Sequence, residues 1–148
     1  MKCLLFVFIA MPWLAGCYPA LRTVQPEVEL VVQDTNGRPV ESAAFTLATY
    51  RYPFPHQRTT NFTRHETDSA GTLSIPRRRE WNLEVLLPDG SSWYAWDYCI
   101  EKAGYRAIAV AETDFEKPVT AVLQPYGGSS RCKWPTEGER YYGVAVVE

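Results

Sequence analysis

The chain has 148 residues, 46% of them hydrophobic and 22% charged, which fits one folded domain and excludes wholesale disorder. Its 15 basic and 17 acidic side chains leave a formal net charge of -2, which argues against a nucleic-acid binder working by phosphate neutralisation. Two histidines are little raw material for a metal centre or a His-based triad, so no cofactor is expected.

The chain opens with MKCLLFVFIAMPWLAGC. Lys2 supplies a short positive region and residues 3–14 an apolar run. That run is too short to span a hydrocarbon core of ~30 Å, which takes ~20 helical residues, but it has the length of a signal-peptide core. Leu14-Ala15-Gly16-Cys17 resembles the lipobox of bacterial lipoproteins. The resemblance implies cleavage before Cys17, a lipid on its sulfur and acylation of the new amino group. The alternatives are an ordinary secretory signal with an incidental cysteine, or an uncleaved anchor. Tyr18, rather than Asp, follows the cysteine; by the same resemblance this points to the outer membrane, with the domain facing the periplasm. Residues 1–16 are then a signal peptide, and the membrane is held through the N-terminal lipid. Residues 17–26 hold Pro19 and Pro26 and no periodic pattern, and are expected to be a tether of at most ~30 Å.

From Glu27 the pattern is that of strands. Val28, Leu30 and Val32 alternate with polar neighbours, and Asn36-Gly37 marks a turn. A second strand carries Phe45 and Leu47, and the prolines of PFPHQ (53–57) break it. A Thr-rich polar strand follows, then a turn at Asp68–Gly71, a short strand with Leu73 and Ile75, and a stop at Pro76. Trp81, Leu83, Val85 and Leu87 alternate with Asn82 and Glu84, which predicts a strand with Trp81 in the core. After Pro88-Asp89-Gly90, segments 91–100 and 104–112 read as one broken strand or two. Val119, Ala121 and Leu123 make another. Turns recur about every ten residues and no amphipathic helix is visible. The expected fold class is all-β: a single β-sandwich of about seven strands over 27–125. Residues 126–148 are expected to be a loop-like tail, with one extra strand available in YYGVAVVE.

Cys3 leaves with the signal peptide and Cys17 takes the lipid. Cys99 and Cys132 remain, in an oxidising compartment, and are expected to form a disulfide that staples the tail.

The segment VVQDTNGRPVESAAFTL resembles the opening hairpin of carboxypeptidase-regulatory-like domains, which are related to the transthyretin fold. The residues that carry the resemblance are Asp34, Gly37, Pro39, Val40, the small pair Ala43 and Ala44, and Leu47. Thr67–Leu73 looks like that family's second hairpin, and Lys102-Ala103-Gly104-Tyr105 like its Gly-Tyr step. The resemblance spans about residues 28–124. It implies a transthyretin-like sandwich serving as a structural or interaction module, and it implies no catalysis.

No catalytic set stands out. His56 and His65, with Glu66 or Asp68, are the only metal-site material, and solvated histidines account for them as well. Ser91, Ser92, Ser129 and Ser130 lie in no nucleophile elbow. Arg77-Arg78-Arg79 is a basic run suited to anionic headgroups or to a solvated loop. The unusual feature is aromatic: Tyr50, Tyr52 and Phe54 near one loop, and Trp93, Tyr94, Trp96 and Tyr98 in one strand. Alternation sets Trp93 opposite Tyr94, Trp96 and Tyr98, so part of the group is core. Trp93, Tyr94 and Trp96 are the candidate binding surface, with at least one of Trp93 and Trp96 expected to be exposed. The expected function is a non-catalytic envelope lipoprotein acting as a structural or protein-interaction module, with an envelope protein as its partner. The rivals are a carbohydrate- or peptidoglycan-binding module using exposed aromatics, and an inhibitor of an envelope hydrolase such as lysozyme.

Overall fold

The structure, a computed structural model, describes residues 16–52, 59–85, 92–111, 115, 118–134 and 146–147. Among them it is all strand and turn: β1 (Cys17–Gln25), β2 (Val28–Asp34), β3 (Ala44–Tyr52), β4 (Thr59–Glu66), β5 (Thr72–Ile75), β6 (Arg78–Val85), β7 (Trp93–Glu101), β8 (Ile108–Val110), β9 (Val119–Leu123), β10 (Cys132–Lys133) and β11 (Val146–Val147). The fold is an all-β sandwich, with eleven strands among the described residues where about seven were expected. One sheet has the order β5-β2-β9 and the other β4-β3-β7-β8.

Alternation builds the core. Val28, Leu30 and Val32 point inward from β2, beside Ile75 of β5 and Ala121 and Leu123 of β9. Phe45 and Leu47 of β3 face them, in register with Ile100 and Tyr98 of β7. Phe45 stacks on Tyr98 with ring centroids 5.5 Å apart. β2 and β9 run parallel, and every other paired strand here is antiparallel.

The two segments expected to be hairpins turn out to be crossings between sheets. β2 pairs with β5 and β9, whereas β3 pairs with β4 and β7. The Asp34–Pro39 turn does close tightly, with the Asp34 carboxylate accepting the N–H groups of Asn36 and Arg38 at 2.7 and 2.9 Å. The chain then swings out of the first sheet at Ser42, whose φ of 52° lies in the left-handed region. Thr67 holds the two crossings together. Its buried hydroxyl donates to the Val40 carbonyl at 2.8 Å and accepts the Ala43 N–H at 2.9 Å. Gly71 packs so closely that a Cβ there would sit 2.4 Å from the Val32 carbonyl oxygen, at a φ of +70°.

Residues 17–25, expected as a loose tether, form β1 and pair along their length with β6. The reason lies in the register. Val28 pairs with Ile75 and Gln25 with Arg78, so the β1–β6 ribbon is the β2–β5 pair carried past Pro26 and Pro76. The prolines interrupt the ladder without ending it, since each lacks only its own donor. Trp81 was expected in the core; it is 70% exposed, and Leu83 is 79% exposed. Alternation was read correctly but the buried face is the other one, which carries Asn82 and Glu84.

The four-stranded sheet is also covered on its outer side. Ala48, Asp97 and Cys99 point away from the core and are nevertheless buried. The segment around Cys132 supplies the cover: Cys99 and Cys132 are disulfide-bonded with Cα atoms 6.3 Å apart, and β10 pairs with β11. Trp134 meets Phe62 of β4 edge-on at 5.2 Å.

Candidate functional site

The structure divides the three aromatics singled out in β7. Trp96 sits on the inner side and packs against the core. The Tyr94 hydroxyl accepts a hydrogen bond from Asn82 Nδ2 at 3.2 Å, at the seam between β6 and β7. Trp93 faces outward and is 47% exposed. Its neighbour is Tyr52, opposite it in the β3–β7 ladder. The two rings lie parallel, 3.8 Å apart with an interplanar angle of 5°. Cross-strand register places them together, because Cβ atoms of directly opposed residues are only ~5 Å apart. Beyond Ile100, Cys99 and Tyr98, where β8 pairs, the β7 stretch 93–97 has no strand on the side away from β3 among the described residues. Among the described residues an aromatic stack thus ends an unpaired sheet edge, the arrangement in which backbone groups and a ring are both available to a partner.

A second surface lies on the β1–β6 ribbon, which sequence reasoning missed. Pro19 pairs with Leu83 and Leu21 with Trp81, giving one apolar outer face. The inner face is polar and tied down. Glu84 is buried, and its carboxylate accepts from Arg22 Nε at 2.7 Å, from Arg22 Nη2 in a very short contact, and from the Tyr18 hydroxyl at 3.1 Å. The Arg22 guanidinium, foremost, holds the Glu84 carboxyl below the usual carboxylate range; the Tyr18 hydroxyl and the Ser92 N–H act in the same direction against the effect of burial. The matching effect of Glu84 raises the Arg22 pKa. Nothing in one sequence pairs Arg22 with Glu84, which stand 62 residues apart. Cys17 begins the ribbon with an exposed, free thiol.

A polar cleft of about 440 Å³ lies at one end of the four-stranded sheet, lined by Ser42, Arg64, Glu66, Glu101, Lys102 and Arg131 among others. Three of its polar side chains are engaged by the fold. Lys102 Nζ donates to the Glu41 carbonyl at 2.7 Å, Glu101 accepts the Cys132 N–H at 2.8 Å, and Ser130 accepts the Ala107 N–H at 3.0 Å. Of the metal-site material, His65 and Glu66 are successive residues of β4 and point to opposite faces, and Asp68 caps its own turn through the N–H groups of Ala70 and Thr72. His56, Ser91 and Phe54 lie outside the described residues. The one close grouping of metal-ligand types among the described residues, Cys99, Glu101 and Cys132, contains the disulfide, whose sulfurs are thereby occupied. No protein-family model, curated protein or solved structure matches this chain.

Proposed function

We propose that the protein is a lipid-anchored, non-catalytic interaction module of a bacterial envelope, held at the outer membrane through Cys17 and facing the periplasm with a transthyretin-like sandwich. The observation that carries the interaction reading is the Tyr52–Trp93 stack, with Trp93 exposed, at the end of β7 that no strand among the described residues pairs on the side away from β3. Exposed aromatics beside an unpaired strand edge are contact chemistry: the rings supply apolar area and the edge supplies hydrogen bonds. A protein partner suits this geometry better than a sugar. Each ring already gives one face to the other, so the faces left, one per ring, point in opposite directions where a saccharide platform needs broad faces turned the same way. Supporting the anchor are the lipobox residues Leu14-Ala15-Gly16-Cys17 and the exposure of the Cys17 thiol.

The test places a photo-crosslinking phenylalanine analogue at position 93 of the full chain in cells, and another at exposed Thr35 as a control. A discrete protein adduct from position 93, absent from position 35 and weakened by Tyr52→Ala, is expected. Equal adducts from both positions, or none from 93, reject the contact site. Binding of the same chain to a peptidoglycan or glycan array, with loss in Trp93→Ala, would replace the protein partner by a carbohydrate. Inhibition of a lysozyme would move the protein to the inhibitor class.

A further inference from the structure

The β1–β6 ribbon has two unlike faces, and its inner face cannot be exchanged for the outer one. Two contacts of that inner face with the sandwich fix which way the ribbon lies: Asn82 Nδ2 donates to the Tyr94 hydroxyl at 3.2 Å, and the buried Glu84 carboxylate accepts the Ser92 N–H. The outer face therefore stays turned away from the core. By alternation it carries Cys17, Pro19 and Leu21 from β1 and Leu83, Trp81 and Arg79 from β6. Leu21 is 46% exposed, and Trp81 and Leu83 far more.

We propose that this outer face lies in the interfacial layer of the bilayer that holds the Cys17 lipid. The inference rests on the reading of Cys17 as the lipid attachment point. Three observations carry it. The strand begins at Cys17 itself, so no slack separates the attachment point from the apolar face. At ~3.4 Å per residue, Pro19 and Leu21 lie within about 14 Å of the anchored residue, on the same face as its side chain. The face also carries, along its length, the residue types that an interfacial layer accommodates side by side. Apolar Pro19–Leu83 comes first, then Leu21 with Trp81, then Thr23 with Arg79 at the far end. Tryptophan is the residue type of the membrane–water boundary, and arginine suits anionic headgroups. Arg77 and Arg78 follow on the same strand end, each with an acidic neighbour, Glu27 at 3.8 Å and Glu80 at 3.3 Å.

The ribbon lies along the surface and does not penetrate end-on. It is a two-stranded sheet, so the outer edges of β1 and β6 carry backbone groups that no further strand among the described residues pairs. Such groups keep to water or headgroups and are excluded from hydrocarbon. Lying flat, the ribbon puts its side chains ~5–10 Å into the headgroup and acyl boundary while both edges stay hydrated.

The experiment uses the processed full chain purified from envelopes. Intact mass first reports whether Cys17 carries lipid. The protein is then reconstituted in vesicles of phosphatidylcholine and phosphatidylglycerol in which one lipid has a brominated acyl chain, and Trp quenching is compared with that in unbrominated vesicles. Quenching is expected in the parent chain, kept in Trp93→Phe and mostly lost in Trp81→Phe. The exposure of Trp81 makes that variant safe for folding. A lipid-bearing chain whose quenching is the same with and without Trp81 overturns the ribbon inference and leaves the anchor standing. A chain with no lipid mass overturns the anchor and, with it, the inference. If Trp81 stays unquenched while the vesicle-bound chain crosslinks to itself, and Leu83→Asp abolishes that crosslink, the face joins two copies and the bilayer reading is overturned.

Discussion

The carboxyl of Glu84 sits at the contact between ribbon and sandwich, and its folded-state pKa lies below the ordinary value of 4.5. Its contribution to stability is therefore present in full above that value and is lost as pH falls through the lower folded-state pKa. Asp34 and Asp68 act in the same sense, each held down first by a backbone N–H, that of Arg38 and of Thr72 respectively. Urea midpoints should be flat near neutrality and fall below about pH 4.5, and Glu84→Gln should reduce that fall. Glu84→Ala should cost about 2 kcal/mol near pH 7, because it strips a charged, hydrogen-bonded partner from Arg22. Two aromatic truncations should separate cleanly in the same assay. Tyr98→Ala removes a buried ring stacked on Phe45 and should cost about 3–5 kcal/mol, whereas Trp81→Ala should cost less than about 0.5 kcal/mol. Equal costs would mean that Trp81 is buried after all. Gly71→Ala should cost about 2–4 kcal/mol, since it meets both a left-handed φ and the Val32 carbonyl. Gly37→Ala shares the φ, at +75°, but has nothing within 4 Å, and should cost only about 1 kcal/mol.

Among the elements, the Cys99–Cys132 bridge governs the cover over the four-stranded sheet. Replacing both cysteines by Ala should cost about 3–4 kcal/mol by the chain-entropy account of a loop with a sequence separation of 33. Hydrogen exchange should then accelerate first at Cys132–Trp134 and on the outer side of β7, while Val32 and Phe45 stay protected. The strands were legible because period-two alternation is a local property; β2 and β9 stand where Val28–Val32 and Val119–Leu123 placed them. The disulfide was legible because reading Cys17 as a lipobox residue, with Cys3 in the signal segment, left Cys99 and Cys132 to pair. The partners of the strands were not legible. Asp34–Pro39 has the residues of a hairpin turn, but whether the next strand returns to its neighbour or crosses to the other sheet is decided by Ser42 and Thr67, through contacts with residues far along the chain. For the same reason the alternation of Trp81 and Leu83 announced a face without saying that it would look outward. Proline content made residues 17–25 read as a tether; the pairing that made them a strand lies some sixty residues away in β6. The Tyr52–Trp93 stack was half legible: both rings were noticed, and only the β3–β7 register joined them.

Over the whole molecule, the feature with the widest reach is the parallel pairing of β2 with β9, Leu30 beside Val119 through Asp34 beside Leu123. It ties the start of the sandwich to nearly its last strand, and β2 is the central strand of its sheet. The buried face of β2 gains its third strand only when the chain is complete to Leu123. A chain that must close so distant a contact folds slowly, on the millisecond-to-second scale expected of β-rich topologies. A version ending at Pro118 should show no cooperative urea transition, and near-ultraviolet circular dichroism would detect its missing aromatic packing. On the proposed reading of residues 1–16 as an export signal, this arrangement would act as a timer. The N-terminal strands would leave the cytoplasm before the residues that lock them, so the order of the strands along the chain would itself keep the polypeptide threadable until Leu123 had followed.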